Sequence, residues 1–299
     1  MNATSVKTRL KNQGKACGKI MEEMLLAYGF ERTLYRISVS KYNERFILKG
    51  GMFLYALFQG TYARTTRDID LLAKGISNNA DDMMEVFKDI FSIDCDYALI
   101  FDIKTLEVKN IVEFKEYHGV NAKITAFLDR TRIPVSIDIG FDDVVYPHKT
   151  KMGFPVLLDM GVPEIYAYSL YSVIAEKFEA IVSLGDANSR YKDFYDIYVL
   201  ADRYRLDGKE LKEAIKETFE HRETGFSDIA AFGNDFRNSI IHRNRWKAFT
   251  RQKRTIVDIE FSDMLKRLKS LLEPVVDSIR NEHEFQLTWN NEEFRWKNG

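Results

Sequence analysis

The chain has 299 residues, and its 44 basic and 45 acidic side chains leave a formal net charge of -1. Hydrophobic residues make up 45% and charged ones 30%, a globular mixture that excludes a largely disordered chain. The charge balance gives no global pull toward nucleic acid, and two cysteines, Cys17 and Cys95, are too few for a disulfide framework. Residues 5–28 place Val6, Leu10, Ile20, Met24 and Leu25 at helical spacing, with Gly14 and Gly18 where one helix would divide into two. Residues 46–57 predict an apolar helix with Gly50-Gly51 near its start. Residues 68–72 alternate charged and aliphatic side chains, which predicts a strand. An amphipathic helix is expected over 80–91, and strands over 106–114 and 122–128. Residues 134–141 read as a strand with Val135, Ile137 and Ile139 on one face and Ser136, Asp138 and Gly140 on the other. Pro134, Pro147, Pro155 and Pro163 crowd one stretch, which predicts strands and loops there. Beyond it the pattern turns helical over 166–184, 193–204, 209–221 and 261–279. The expected architecture is an α/β (α+β) N-terminal domain over 1–163 and an all-helical C-terminal domain over 164–299. Residues 1–9 lack the apolar region of a signal peptide, and no apolar run reaches the roughly 18 residues of a membrane span. A cytoplasmic protein with reduced thiols and no membrane partner is expected.

The carboxylates carry the chemistry. Asp68 and Asp70 stand two residues apart and share a strand face. Two carboxylates that close repel as ions unless a cation lies between them. A divalent metal satisfies them, and Mg²⁺ takes one or two carboxylates together with substrate phosphates. A surface strand with both aspartates in water is the alternative. Gly50-Gly51 leads into a helix, where bare backbone and a helix start favour a phosphate; an ordinary turn is the alternative. Asp138 would add a third carboxylate if its strand neighbours that of Asp70, enough to hold two Mg²⁺ for in-line phosphoryl chemistry. Otherwise it is a solvated strand residue. Asp142 and Asp143 read as loop acids. Further on, Lys177 lies on a helix, and Arg190 and Lys192 come just before another, placed to meet phosphate oxygens. Asp193 and Asp196 fall in that helix's first turn, where acids also suit the helix dipole.

Charge is segregated along the chain. Residues 1–21 hold Lys7, Arg9, Lys11, Lys15 and Lys19 with no acid. Residues 236–257 hold Arg237, Arg243, Arg245, Lys247, Arg251, Lys253 and Arg254, again with no acid, and include Trp246 and Phe249. Cations interleaved with aromatic rings suit RNA. An amphipathic helix with a wet basic face and its rings in the core is the alternative. The five histidines lack metal-ligand spacing, and neither a phosphate-loop lysine motif nor a Gly-x-Ser-x-Gly elbow occurs.

Together these residues resemble the AbiEii/AbiGii-type nucleotidyltransferase toxins of bacterial abortive-infection toxin–antitoxin pairs. The resemblance is carried by Leu48-Lys49-Gly50-Gly51, Arg64-x-Thr66-x-Asp68-Ile69-Asp70-Leu71, Ile137-Asp138-Ile139, Glu176-Lys177 and Arg190-x-Lys192-Asp193-x-x-Asp196. It implies a DNA-polymerase-β-like mixed sheet with a helical C-terminal domain. It implies Asp68 and Asp70 as the metal pair, Gly50-Gly51 beside the triphosphate, and functional roles for Lys177 and Asp193. It also implies transfer of an NMP from an NTP, GTP or CTP among them, onto RNA, tRNA ends included, and a cognate antitoxin system. The wider superfamily has a serine after its glycine, closer to the aspartates; Gly51 stands there in this chain. On this basis Asp68, Asp70, Lys177 and Asp193 are the expected catalytic residues. Asp68, Asp70 and Asp138 are the expected ligands of two Mg²⁺. Lys49, Gly50, Gly51, Thr65, Arg67, Arg190 and Lys192 are the expected nucleotide contacts. Two other outcomes fit the same residues: an NTP-binding effector that transfers nothing, and transfer to a protein or small-molecule hydroxyl.

Overall fold

Aliphatic strands that hide one face and leave the other half open build the sheet on which the acids sit. The computed structural model describes residues 1–61, 66–95, 98–112, 118–226, 228–253 and 258–298. The chain divides into two compact units, residues 1–142 with 149–167, and residues 143–148 with 168–299.

The first unit begins with helices α1 (Ala3–Cys17) and α2 (Met21–Val39). Strand β1 (Phe46–Lys49) runs directly into α3 (Gly50–Leu57), followed by β2 (Ile69–Ala73) and α4 (Ala80–Phe91). Strands β3 (Leu99–Val112), β4 (His118–Leu128), β5 (Thr131–Gly140), β6 (Thr150–Gly153) and β7 (Glu164–Ala167) complete it. These strands form one mixed sheet in the order β3-β4-β5-β2-β1-β7-β6. The pairs β2–β5 and β1–β7 are parallel, and the other neighbours are antiparallel. In β5 the expected alternation holds: Ile133, Val135, Ile137 and Ile139 are buried and the residues between them are not. Helix α2 packs across β5 and β7, with Tyr28, Leu34 and Ile37 in the core.

Residues 46–57 differ from the single helix expected of them. Phe46, Ile47 and Leu48 are a short apolar run, which does not distinguish a buried strand from a helix. Sheet pairing on both sides decides for a strand, and the helix starts only at Gly50.

The second unit contains α5 (Leu170–Leu184), α6 (Tyr191–Arg203), β8 (Leu206–Asp207), α7 (Gly208–His221), α8 (Asn234–Asn238), α9 (Ile240–Lys253) and α10 (Phe261–Arg280). It ends in β9 (Leu287–Asn290) and β10 (Arg295–Asn298). The C-terminal half is therefore not all-helical, because β8, β9 and β10 form a three-stranded antiparallel sheet. Two-to-four-residue strands are too short to show a period in sequence. What holds them is aromatic packing. Trp289 is fully buried, meets Trp296 at 5.4 Å between ring centroids, and donates its indole N–H to the Ala201 carbonyl at 2.8 Å. Among the described residues no helix is long and apolar enough to cross a membrane.

Replacing Trp289 with Ala removes this anchor and leaves a large cavity. The variant is expected to lose about 3–5 kcal/mol of stability, read from urea unfolding curves. A loss near zero would mean the small sheet is dispensable.

Candidate functional site

Sheet register sets the site. Lys49 of β1 lies opposite Asp70 of β2, Asp70 opposite Asp138 of β5, and Asp138 opposite Asn121 of β4. Directly paired residues project to the same side, so these four form one row across the sheet. Asp68, just before β2, joins them. One carboxylate oxygen from each of Asp68, Asp70 and Asp138 lies within 4.8 Å of the other two, and all three residues are half-buried.

Three carboxylates at that spacing need compensation, and part of it is visible. The amide N–H of Asn121 donates to Asp138 Oδ1 at 2.5 Å and to Ser136 Oγ at 3.0 Å. The Thr66 hydroxyl lies 3.2 Å from Asp68 Oδ1. Asp70 rests on bare backbone at the start of α3. A Cβ on Gly50 would fall 2.0 Å from Asp70 Oδ2, and Gly50 has φ +63°. Both the close approach and the backbone angle demand glycine there. The positive end of the helix faces the carboxylate. Lys49 is half-buried beside Asp70 in the row, Gly51 is buried within α3, and Arg67 is exposed. Thr65 lies outside the described residues.

In the second unit the expected residues also converge. Lys177 Nζ of α5 sits 2.8 Å from Asp193 Oδ1 and 2.7 Å from Asp196 Oδ2, both on α6. Arg190 Nε reaches the other oxygen of Asp193 at 2.7 Å. The two aspartates are fully buried, whereas the Lys177 side chain keeps 12% of its surface open. Burial alone would raise the Asp193 pKa; the charges of Lys177 and Arg190 outweigh it and hold the carboxyl below its ordinary value. Lys192 is exposed.

Sequence reading missed several polar residues. Asn121 has no motif to mark it, since only the β4–β5 register brings it to Asp138. Asp143 lies in the loop after β5, as expected, but it is buried and pairs with Arg222 at 2.7 Å. Arg222 also meets Glu179 at 2.7 Å and Glu176 at 3.6 Å, while Tyr168 donates to Glu176 at 2.9 Å. Burial disfavours the charge on Arg222, but the surrounding carboxylates keep it protonated. Arg222 lies far along the chain from these acids, so no local pattern could expose the cluster.

Of the two readings of the basic run's aromatics, the core one holds for Trp246. Trp246 is buried, donates to the Ile259 carbonyl at 2.9 Å, and packs on Tyr191, Tyr195, Phe249 and Phe261. It is therefore a core ring, not a base-stacking platform. Arg245, Lys247 and Arg251 of α9 are exposed, as are Arg9, Lys11 and Lys15 of α1. Arg254 falls outside the described residues.

The three carboxylates beside a glycine-opened helix start form a group of hard oxygen donors that could hold a divalent cation. The chain belongs to the AbiEii nucleotidyl transferase toxin family of type IV toxin–antitoxin systems, whose profile matches residues 32–295. A solved structure from H. pylori assigned as a nucleotidyltransferase is 11% identical, with 85% of this chain and 95% of that chain covered and a TM-score of 0.47. JHP933 from Helicobacter pylori is 12% identical, with 87% and 98% covered and a TM-score of 0.47. Comparison with curated protein sequences gives no match.

Two outcomes follow from this geometry. Asn121→Ala frees the Asp138 carboxylate and is expected to weaken Mn²⁺ binding about 10–100-fold in a titration, with the fold intact. Asp193 has a lowered folded pKa, so the stability it adds is present above its unfolded value near 3.8 and lost as pH falls toward the folded value. Asp193→Asn should therefore flatten the acid limb of a stability-versus-pH curve; an unchanged limb would remove the ion pair from the account.

Proposed function

We propose that this chain is a Mg²⁺-dependent nucleotidyltransferase that moves an NMP from an NTP onto an RNA acceptor. The observation that carries the proposal is the convergence of Asp68, Asp70 and Asp138 within 4.8 Å. Binding a nucleotide does not by itself require three crowded carboxylates. The donor set fits the ion: three carboxylates offer hard oxygens, and the Asn121 contact orients one of them as an outer partner does. When bound, a pair of Mg²⁺ supplies a lowered pKa at the acceptor hydroxyl and neutralises the triphosphate.

The chain's own residues do the rest. Asp68 and Asp70 hold the metal, and Asp138 is the third ligand. Gly50 keeps a side chain out of the space Asp70 occupies. Lys49 and Arg67 in the first unit, and Lys177, Arg190 and Lys192 in the second, are assigned to phosphate charge. Asp193 and Asp196 hold the Lys177 ammonium in position through two ion pairs. The exposed cations of α1 and α9 support an RNA acceptor, tRNA included, over a small one. Toxicity then follows from modification of host RNA, countered by the antitoxin that the type IV family implies. GTP and CTP are the first nucleotides to try.

The test is incubation of the protein with total RNA, Mg²⁺ and each labelled NTP in turn. Label is expected in RNA. Label in protein would replace the acceptor, and label bound but not incorporated would make the protein an NTP-binding effector. Asp70→Asn should keep its thermal melt yet lose at least about a hundredfold in incorporation. An Asp70→Asn protein with full activity would sink the mechanism.

A further inference from the structure

The end of β1 and β2 remote from the carboxylates carries a second feature. A depression of about 440 Å³ is lined there by Lys41, Glu44, Arg45, Lys74, Gly75 and Lys149, four cations against one carboxylate. It lies wholly within the first unit. Lys74 N donates to the Arg45 carbonyl at 2.9 Å, one step past the last strand pair, Phe46 with Ala73. Arg45 stands four residue steps before Lys49 of the carboxylate row, about 13 Å at the usual rise.

Three of these cations have contacts that orient them. A Cβ on Gly75 would fall 2.4 Å from Arg45 Nη1, and Gly75 has φ +62°, so a side chain there would displace the guanidinium. Lys149 Nζ donates to the Glu44 carbonyl at 2.6 Å and lies 4.1 Å from the centre of the Tyr166 ring. Lys41, largely exposed, pairs with Asp89 at 2.8 Å and lies 5.0 Å from the centre of the Tyr42 ring. Among the described residues neither Arg45 nor Lys149 has a carboxylate within ion-pair distance. Like charges gathered in a concavity repel one another, and an anion relieves that repulsion. Cations fixed beforehand also lose little side-chain freedom when the anion arrives. Tyr42 and Tyr166, both half-buried, set rings beside the charges, the pairing that suits single-stranded RNA.

We propose that this depression binds the phosphate backbone of the RNA acceptor at a point away from the reacting end. The proposal deepens the transferase reading and rests on it for the choice of RNA. It predicts a grip on the acceptor body that sets RNA affinity but leaves the chemical step alone.

The experiment measures binding of a fluorescent single-stranded RNA of about 20 nucleotides across a salt series, without NTP, in the full chain carrying Asp70→Asn. Loss of transfer then cannot affect the result. The variant Arg45→Gln/Lys74→Gln/Lys149→Gln is compared with Lys209→Gln/Lys216→Gln/Lys266→Gln, which makes the same charge change at exposed positions of the second unit. The first is expected to bind RNA about tenfold or more weakly and to flatten the log–log salt slope by about 2, near 0.7 for each lost phosphate contact. The second should match the parent, and Arg45→Lys should recover most of the affinity. Equal RNA binding by the two triple variants would overturn the proposal. So would a depression variant that loses inorganic tripolyphosphate but keeps RNA, since the site would then hold a small polyanion. In the otherwise wild-type protein the depression variant should raise KM for RNA with kcat unchanged; a fall in kcat alone would count against it.

Discussion

Electrostatic crowding at the centre of the sheet is the constraint on which the first unit depends. Three carboxylates whose oxygens come within 4.8 Å cannot all be ionised cheaply without cations or donors aimed at them. The local structure can be read as a response to that cost. Asn121 donates to Asp138, Thr66 approaches Asp68, and the helix start at Gly50 receives Asp70. Parallel pairing of β2 with β5 brings Asp70 level with Asp138. A one-residue slip would turn the row to the buried face, where Ile69, Leu71, Ile137 and Ile139 now pack. The hydrophobic face thus locks the register that the chemistry needs.

The second unit meets a related problem by pairing. Asp193 and Asp196 are buried against Lys177 and Arg190, and Asp143, Glu176 and Glu179 surround Arg222. Buried ion pairs add little net stability, because desolvation consumes most of the attraction, yet losing one partner is costly. Such clusters fix geometry more than they strengthen the fold. The Lys177 pairs tie α5 to α6, and the Arg222 pairs tie α5 to the residue that follows α7.

A net charge of -1 is a sum of separated parts. Asp68, Asp70 and Asp138 gather in the carboxylate row, and Asp143, Glu176, Glu179, Asp193 and Asp196 in the ion-pair clusters. Cations face water along α1 and α9 and in the depression at the far end of β1 and β2. The basic run of α9 shows how mixed such a stretch is. Arg245, Lys247 and Arg251 are exposed, whereas Trp246 belongs to the core, because an indole with a backbone acceptor and four aromatic neighbours is better buried than wet.

Sequence by itself determined the strand of Asp138, the helices after Pro163 and the family, since alternation, helical spacing and motif order are local properties. It also drew attention to Asp68, Asp70, Lys177 and Asp193 as residues of interest. It could not separate strand from helix at Phe46, find the small C-terminal sheet, or see Asn121, Asp143 and Arg222 as partners. Those depend on pairing between distant segments, which leaves no period in the chain. The lysines and arginine of the depression are scattered from residue 41 to residue 149, and only the sheet order β2-β1-β7-β6 with its flanking loops makes them one surface. Charge and spacing are written in the chain; which charges face one another is decided by tertiary structure, because Coulomb energy depends on distance in space and not along the sequence.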